Sequence, residues 1–563
     1  MSLALIAIFF SICLCVGYRF YGNFIASLFQ INDAQPTPAH TQHDKKDFVP
    51  TRSFYLFAQH FSAIAAAGPI AGPIMACSVW GWLPCLLWIA FGVVFIGAVH
   101  DFASLTVSVR HGAVSIAQIT RTHIGERAGT AMMAFIWLAL VYVIVAFTDI
   151  TAGSFVGISE ELVGTHISFN PGGAVAMAAI LYLIVSIIMG IFEKLCKPNL
   201  ALSTIIFVPL AFLSVYVGTK FSHILIFDAK IWSVLIITYC VLSSLMPVWL
   251  LLQPRGYLGG FFLYTVIAIG IIGIFAGNFE IKHMAFKTWD TGESAGAIFP
   301  FLFVTIACGA CSGFHGLICS GTTSKQVDRE SHMRSIGYGA MLCEAFVALI
   351  ALATVMIFSP AEIAGLKPGT IYGKGIGVFL TRLVGEEYIS LATTFGAMAF
   401  STFVFDTLDV STRLGRYLLQ ELFNARSRLS AWCATLITAL APLSLILIAQ
   451  EGSYLQFWTL FGAANQLLAA LSLLAITMWL YQRRMRIAFT LLPMLFILSI
   501  TLWALIKISW DNWQKAYLQN LGLPLINSFT ALVLILLAVY LVLSALYKLR
   551  LEQNKLVRLT EPN

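Results

Sequence analysis

The sequence predicts an all-α, polytopic integral membrane protein of about fifteen transmembrane helices, two of them discontinuous. Three observations predict it. Of 563 residues, 59% are hydrophobic and only 10% charged, whereas an average soluble domain carries about 25% charged residues. Too little charge remains to cover a water-facing surface. The apolar residues also fall in blocks of about twenty, the length that crosses a bilayer core. Finally, two of those blocks are interrupted by glycine and proline where an ordinary span would be continuous.

In chain order the expected spans centre on 4–26, 54–78, 82–107, 128–149, 173–192, 199–218, 231–252, 259–279, 297–320, 336–358, 387–410, 431–450, 455–480, 486–507 and 526–547. Alternating sides places 24 of the 33 lysines and arginines on one face and 9 on the other. The rich face holds Lys45, Lys46 and Arg52, the loops at 108–127, 321–335 and 411–430, the Arg483–Arg486 turn and the tail from Lys548. The positive-inside rule then puts the C-terminus in the cytoplasm and, with an odd count, the N-terminus outside. The longest polar stretches, 29–53, 108–127 and 359–386, are too short for a catalytic domain. The chain therefore reads as one membrane domain: a first helix and polar cytoplasmic loop over 1–53, a core over 54–480, and two closing helices with a basic tail over 481–563. The apolar start lacks a basic n-region and an A-x-A site, which predicts an uncleaved first helix. No basic run points to nucleic acid. The eleven cysteines show no framework spacing, and Cys308 and Cys311 read as small packing residues.

The first interrupted block, HFSAIAAAGPIAGPIMA, carries Gly68, Pro69, Gly72 and Pro73 in mid-span. Each proline lacks an N–H and clashes four residues back, so the carbonyls of Ala65 and Pro69 lose their helical partners. Unpaired backbone in hydrocarbon costs several kcal/mol per group and must face protein, water or ligand. The second block, FPFLFVTIACGACSGFHGLICSGTTSK, sets Gly309, Gly313, Gly316 and Gly321 among Ser312, His315, Ser320, Thr322 and Thr323. Paired interrupted helices point to a transporter's binding site. Seven spans apart, the two cross in opposite directions, as an inverted repeat requires. The expected unwinding is at 68–73 and 309–316, with the two breaks close together. The competing reading is two kinked helices joined through small residues.

These blocks resemble the carbon starvation protein (CstA) family. HFSAIAAAGPIAGPIMA with WLPCLLWIAFGVVFIGAVHDFASL, FPFLFVTIACGACSGFHGLICSGTTSKQ with IGYGAMLCEAFVALIAL, then FDTLDVSTRLGRYLLQEL and FWTLFGAANQLLAAL follow one another in the family's order. The resemblance runs from about residue 15 to 480, in what looks like a shorter member. It implies inner-membrane transport of peptides or pyruvate under carbon limitation, some members being proton-coupled. It also implies a five-plus-five inverted repeat of the amino-acid/polyamine/organocation, LeuT-like class.

Ionisable groups at bilayer depth mark ion or substrate pathways. The candidates are His100 and Asp101 in the third span, Asp149 ending the fourth, Glu344 within the tenth, and Asp406 with Asp409 in the eleventh. Asp406 and Asp409 are three apart and share a helix face; Arg413 is the expected partner of Asp409 if the pair is static. His60 and His315 flank or enter the interrupted blocks. Asn465 and Gln466, polar at mid-span, read as interhelical hydrogen-bonding residues.

The leading expectation is a secondary transporter importing a small carboxylate-bearing nutrient with a proton, the partners being that substrate, the proton and the bilayer. No lysine or arginine lies deep in either interrupted block, so N–H groups at half-helix ends, hydroxyls or His315 would meet the carboxylate. Gly72 and Gly313 then permit close approach of the ligand. Sodium-coupled amino-acid transport is the alternative, since the hydroxyls beside Asp406 and Asp409 suit a hard cation. A channel would need a repeated filter. An enzyme would need a nucleophile–base or metal set, and neither H-E-x-x-H nor G-x-S-x-G occurs. A sensor would need an output domain. No cofactor, metal site or catalytic residue is expected.

Overall fold

A computed structural model of the chain describes residues 2–560 apart from 45–46, 66, 158–159, 162–167, 293–295, 426, 450–453 and 520–521. Lys45, Lys46 and Arg426, which enter the charge count, lie outside the described residues. Among the described residues regular structure is helical, save one two-residue antiparallel ladder, Glu160–Glu161 against Ser168–Phe169, and an isolated bridge from Thr51 to Val327. Twelve described helices are long and apolar enough to cross a bilayer. They become thirteen when Ser53–Ile64 and Gly68–Trp80, bent by 44°, are counted as one span. Ala229–Leu245 is apolar but shorter, and the segment expected at 297–320 is split into Ile298–Thr305 and Gly313–Gly321. Helix thus occupies each segment expected to cross.

Local chemistry starts several of these helices. The side chains of Asn170, Asn199 and Asp228 accept hydrogen bonds from Gly173 N (2.8 Å), Leu202 N (2.9 Å) and Ile231 N (2.8 Å). Each satisfies a first-turn donor that the helix itself cannot. Burial then sorts the helices. The most apolar stretch of Leu455–Gln482 is entirely buried and that of Arg334–Met356 is 89% buried, against 28% for Leu200–Lys220. The first two form the middle of the bundle and the last is peripheral.

Two expectations are corrected. Residues 359–386 are not a polar connection: Pro368–Val384 is a 17-residue helix with Gly369, Ile371, Tyr372, Gly373, Gly377 and Phe379 buried. It lies against Ile389–Leu422 so closely that a Cβ on Gly373 would stand 3.0 Å from Ala397 N. Lys367, Lys374, Arg382 and the glycines lower the hydropathy of this stretch, which is why it reads as polar; the glycine spacing of four is the small-residue seam of a packed helix. The first break also lies earlier than 68–73. Helix stops at Ile64 and restarts at Gly68, with Pro69 in its first turn and Pro73 inside it. A first-turn proline lacks only an N–H that has no helical acceptor anyway, so the Gly-Pro pair starts the second half instead of interrupting it.

Candidate functional site

The second interruption also lies earlier than the expected 309–316: it spans 306–312, between Ile298–Thr305 and Gly313–Gly321, because the helix restarts at Gly313 where a neighbouring helix supplies its cap. Gly309 sits in the middle of it with φ +85°, a left-handed conformation that a side chain would strain. Gly313 and His315 fall in the first turn of the half-helix that follows. The two breaks touch. A Cβ on Gly68 would lie 2.5 Å from Cys308 Sγ, one on Gly72 2.6 Å from the Thr305 carbonyl oxygen, and one on Gly309 3.5 Å from Pro69 Cβ. A Cβ on Gly313 would meet Asn465 O at 2.4 Å. At Gly72 and Gly313, therefore, what comes close is protein backbone, and the glycines are crossing points between helices.

The orphaned backbone groups of the break are met by side chains from neighbouring helices. Asn465 Oδ1 accepts from Phe314 N (2.9 Å), acting as an N-cap supplied by another helix, and Asn465 Nδ2 donates to Ser312 Oγ (3.0 Å). Gln466 Nε2 donates to Phe303 O (2.8 Å), Trp458 Nε1 to Thr305 O (3.0 Å) and Trp88 Nε1 to Ile306 O (3.1 Å). Backbone that would cost several kcal/mol per group in hydrocarbon is thereby satisfied. Asn465 and Gln466 hydrogen-bond between helices, as their mid-span position suggests. Nothing in an isolated tryptophan within an apolar run signals the same role for Trp88 and Trp458.

Four of the sequence-derived ionisable candidates meet at this break. His100 Nδ1 lies 2.8 Å from Asp101 Oδ1, and His315 Nδ1 lies 2.9 Å from Asp101 Oδ2. The other ring nitrogen of His315 is in charge contact with Glu344 Oε2 at 3.3 Å, while Glu344 Oε1 accepts from Gly309 N at 3.1 Å. All four side chains are buried. The result is a continuous chain from His100 through Asp101, His315 and Glu344 to the broken backbone. Glu344 Oε2 has no hydrogen-bond partner among the described residues. A proton arriving there, or on His315, can be shared between two carboxylates without leaving the protein interior. His60 lies nearby, its Nδ1 2.9 Å from Thr323 Oγ1.

The remaining candidates lie elsewhere. Asp149 is half-buried near the end of Glu126–Ser154 and faces the charge of Lys367. Asp406 and Asp409 form a second cluster, and their cation is not Arg413. Arg255, buried at the start of Leu252–Ala276, pairs with both carboxylates. Tyr239 donates to Asp409 at 2.7 Å. Arg413 instead donates to the carbonyls of Ser243 and Met246 (both 2.8 Å), capping the end of Ala229–Leu245. A sequence reading assigns Arg255 to a loop because its neighbours include Gln253, Pro254 and Gly256; only tertiary packing carries it inward. Among the described residues no three His, Cys, Asp or Glu side chains are arranged to hold a metal ion.

Comparison with known proteins adds the following. The family described as carbon starvation protein CstA matches residues 1–374 and 367–504. The chain is 30% identical to a peptide transporter CstA of Bacillus subtilis, over 96% of each chain. It is 32% identical to a peptide transporter CstA of Helicobacter pylori, over 87% of this chain and 79% of that one. A pyruvate/proton symporter of Escherichia coli is 30% identical over 87% of this chain and 79% of its own.

Proposed function

The chain belongs to the carbon starvation protein CstA family and is a multi-pass membrane transporter, not an enzyme; on that premise we propose that it imports a small carboxylate-bearing nutrient, a short peptide or pyruvate, together with a proton. The observation that carries this reading is the buried chain Asp101–His315–Glu344 ending on Gly309 N–H. It joins an imidazole and two carboxylates, groups that can take up and release a proton, to the backbone of an interrupted helix, where substrates bind in transporters of this general build. Gly309 N–H is held by the Glu344 carboxylate. A substrate carboxylate seeking that donor competes with Glu344, and protonating Glu344 weakens the incumbent. Proton and substrate are then favoured together. Ser312 and His315 border the same place, beside the Gly68–Pro69 start of the facing half-helix.

The proposed topology keeps fifteen crossings with the N-terminus outside and the C-terminus in the cytoplasm of the plasma membrane. Pro368–Val384 then packs inside the bundle without adding a crossing. If it crossed, Arg413, Arg416 and Arg428 would move to the face opposite Lys325, Arg329 and Arg334, against the basic bias. The touching breaks favour the inverted-repeat core over 54–480. The test is uptake by purified protein in liposomes, with peptide, pyruvate and amino-acid substrates, an imposed pH gradient and a protonophore control. Saturable uptake of peptide or pyruvate that the protonophore abolishes is expected. Uptake that ignores the pH gradient and requires sodium would replace the proton reading with one centred on 406–412.

A further inference from the structure

We infer that a cavity on the basic face of the molecule is a binding site for a phosphate-bearing anion. The cavity has a volume of about 760 Å³ and lies between the polar segment after the first helix and the turn that ends Tyr454–Gln482. Four arginines line it: Arg110, Arg483, Arg484 and Arg486. Its lining contains a single carboxylate, Glu330, and that one is already engaged. Glu330 takes Arg110 through two hydrogen bonds of 2.9 Å and accepts from Asn32 N at 2.9 Å. No carboxylate among the described residues pairs with Arg483, Arg484 or Arg486. One of these three cations is accounted for by the partial negative charge of the helix end; two are not.

A second observation is independent of charge. Trp479 lines the same cavity, is 3% exposed, and its Nε1–H finds no acceptor among the described residues. A buried donor left unpaired costs about 1–3 kcal/mol, which an acceptor oxygen in the cavity would remove. Arginine forks pair phosphate oxygens two at a time, and basic pockets between membrane helices on the cytoplasmic side hold anionic headgroups. Arg110 is nine residues beyond Asp101 on one helix, about 14 Å at 1.5 Å per residue, so this site is separate from the break. An occupant would bridge the end of the helix that carries Asp101 to the end of the helix that carries Asn465. Two sources share the chemistry: the headgroup of an anionic phospholipid entering from the bilayer, and a soluble phosphate-bearing anion.

The experiment uses full-length, delipidated protein in neutral detergent. One arm titrates dioleoylphosphatidylglycerol and reads occupancy by native mass spectrometry; the other titrates pyrophosphate and reads binding by calorimetry. Wild type and Arg428→Gln, an exposed arginine of another loop, are expected to bind at least one probe. The combined Arg483→Gln, Arg484→Gln, Arg486→Gln variant should bind it about tenfold or more weakly, and Trp479→Phe severalfold more weakly. Binding of the lipid alone identifies a headgroup site, and of pyrophosphate alone a soluble-anion site. If the triple variant does not fold, Arg486→Gln and Trp479→Phe carry the comparison. No binding to wild type, or unchanged affinity in the variants, overturns the inference. The readout is binding, so it stands apart from the transport reading.

Discussion

Glu344 meets Gly309 N–H with one carboxylate oxygen and keeps the other free of hydrogen bonds, so its two oxygens have different tasks. Glu344→Gln preserves an acceptor for Gly309 but removes the titrating proton. Folded yield should hold while pH-driven uptake falls about tenfold or more, measured in liposomes and normalised to folded protein. Asn465→Ala does the opposite: it strips the acceptor from Phe314 N–H, and should lower stability by about 1–3 kcal/mol, read from thermal unfolding. Gly72→Val should cost folded protein as well as uptake, because its Cβ would stand 2.6 Å from a carbonyl oxygen that cannot give way cheaply. Outside the spans, His283 donates Nε2–H to Cys77 O at 3.2 Å, and burial holds its pKa below the usual histidine value. The folded state then binds fewer protons than the unfolded one below the ordinary histidine pKa of about 6.5. Its contribution is present above that pH and is lost as pH falls through the depressed value. His283→Gln should flatten the fall in melting temperature between neutral and acidic buffer; an identical slope in variant and wild type would remove His283 from the account.

The helices explain why those residues have the partners they do. The broken segment is held by caps contributed from Tyr454–Gln482 and Trp82–Gly92, so its irregular backbone is satisfied by neighbours and not by its own sequence. The Asn465-Gln466 pair was legible because two amides stand out in an apolar run. Trp88 and Trp458 were not, since tryptophan is equally at home as simple core. At the second cluster, Leu252–Ala276 is tied to Ile389–Leu422 by Arg255 with Asp406 and Asp409. Arg255→Met leaves Asp409 buried without its cation and should destabilise by about 3–5 kcal/mol. Adding Asp409→Leu should recover most of that in thermal unfolding. Failure of the double variant to recover would mean that Arg255 is held by more than this pairing.

Across the whole molecule, sidedness is the quantity that charge bias sets and packing does not. A cysteine at Ser427, in a background without other reactive cysteines, should be labelled only from the cytoplasmic face in oriented vesicles. Labelling from the other face would reverse the proposed topology and would count Pro368–Val384 as a crossing. That helix is the clearest case in which hydropathy misled: two basic residues and a glycine seam dilute its apolar signal, yet its backbone is packed against Ala397.

By itself the sequence determined that this is a helical membrane protein, where nearly all its helices lie, that two segments must break, and which carboxylates and histidines are exceptional. Each of these follows from a local property: apolar run length, a missing N–H at proline, or a charge where hydrocarbon makes charge costly. Only the tertiary structure decided the pairings. It joined His100, Asp101, His315 and Glu344 across three helices, gave Asp406 and Asp409 to Arg255 instead of Arg413, and moved the first break ahead of Gly68. Residues from 100 to 409 meet in those contacts. Helical periodicity shows which residues share a face, but carries no information about which distant helix that face will meet.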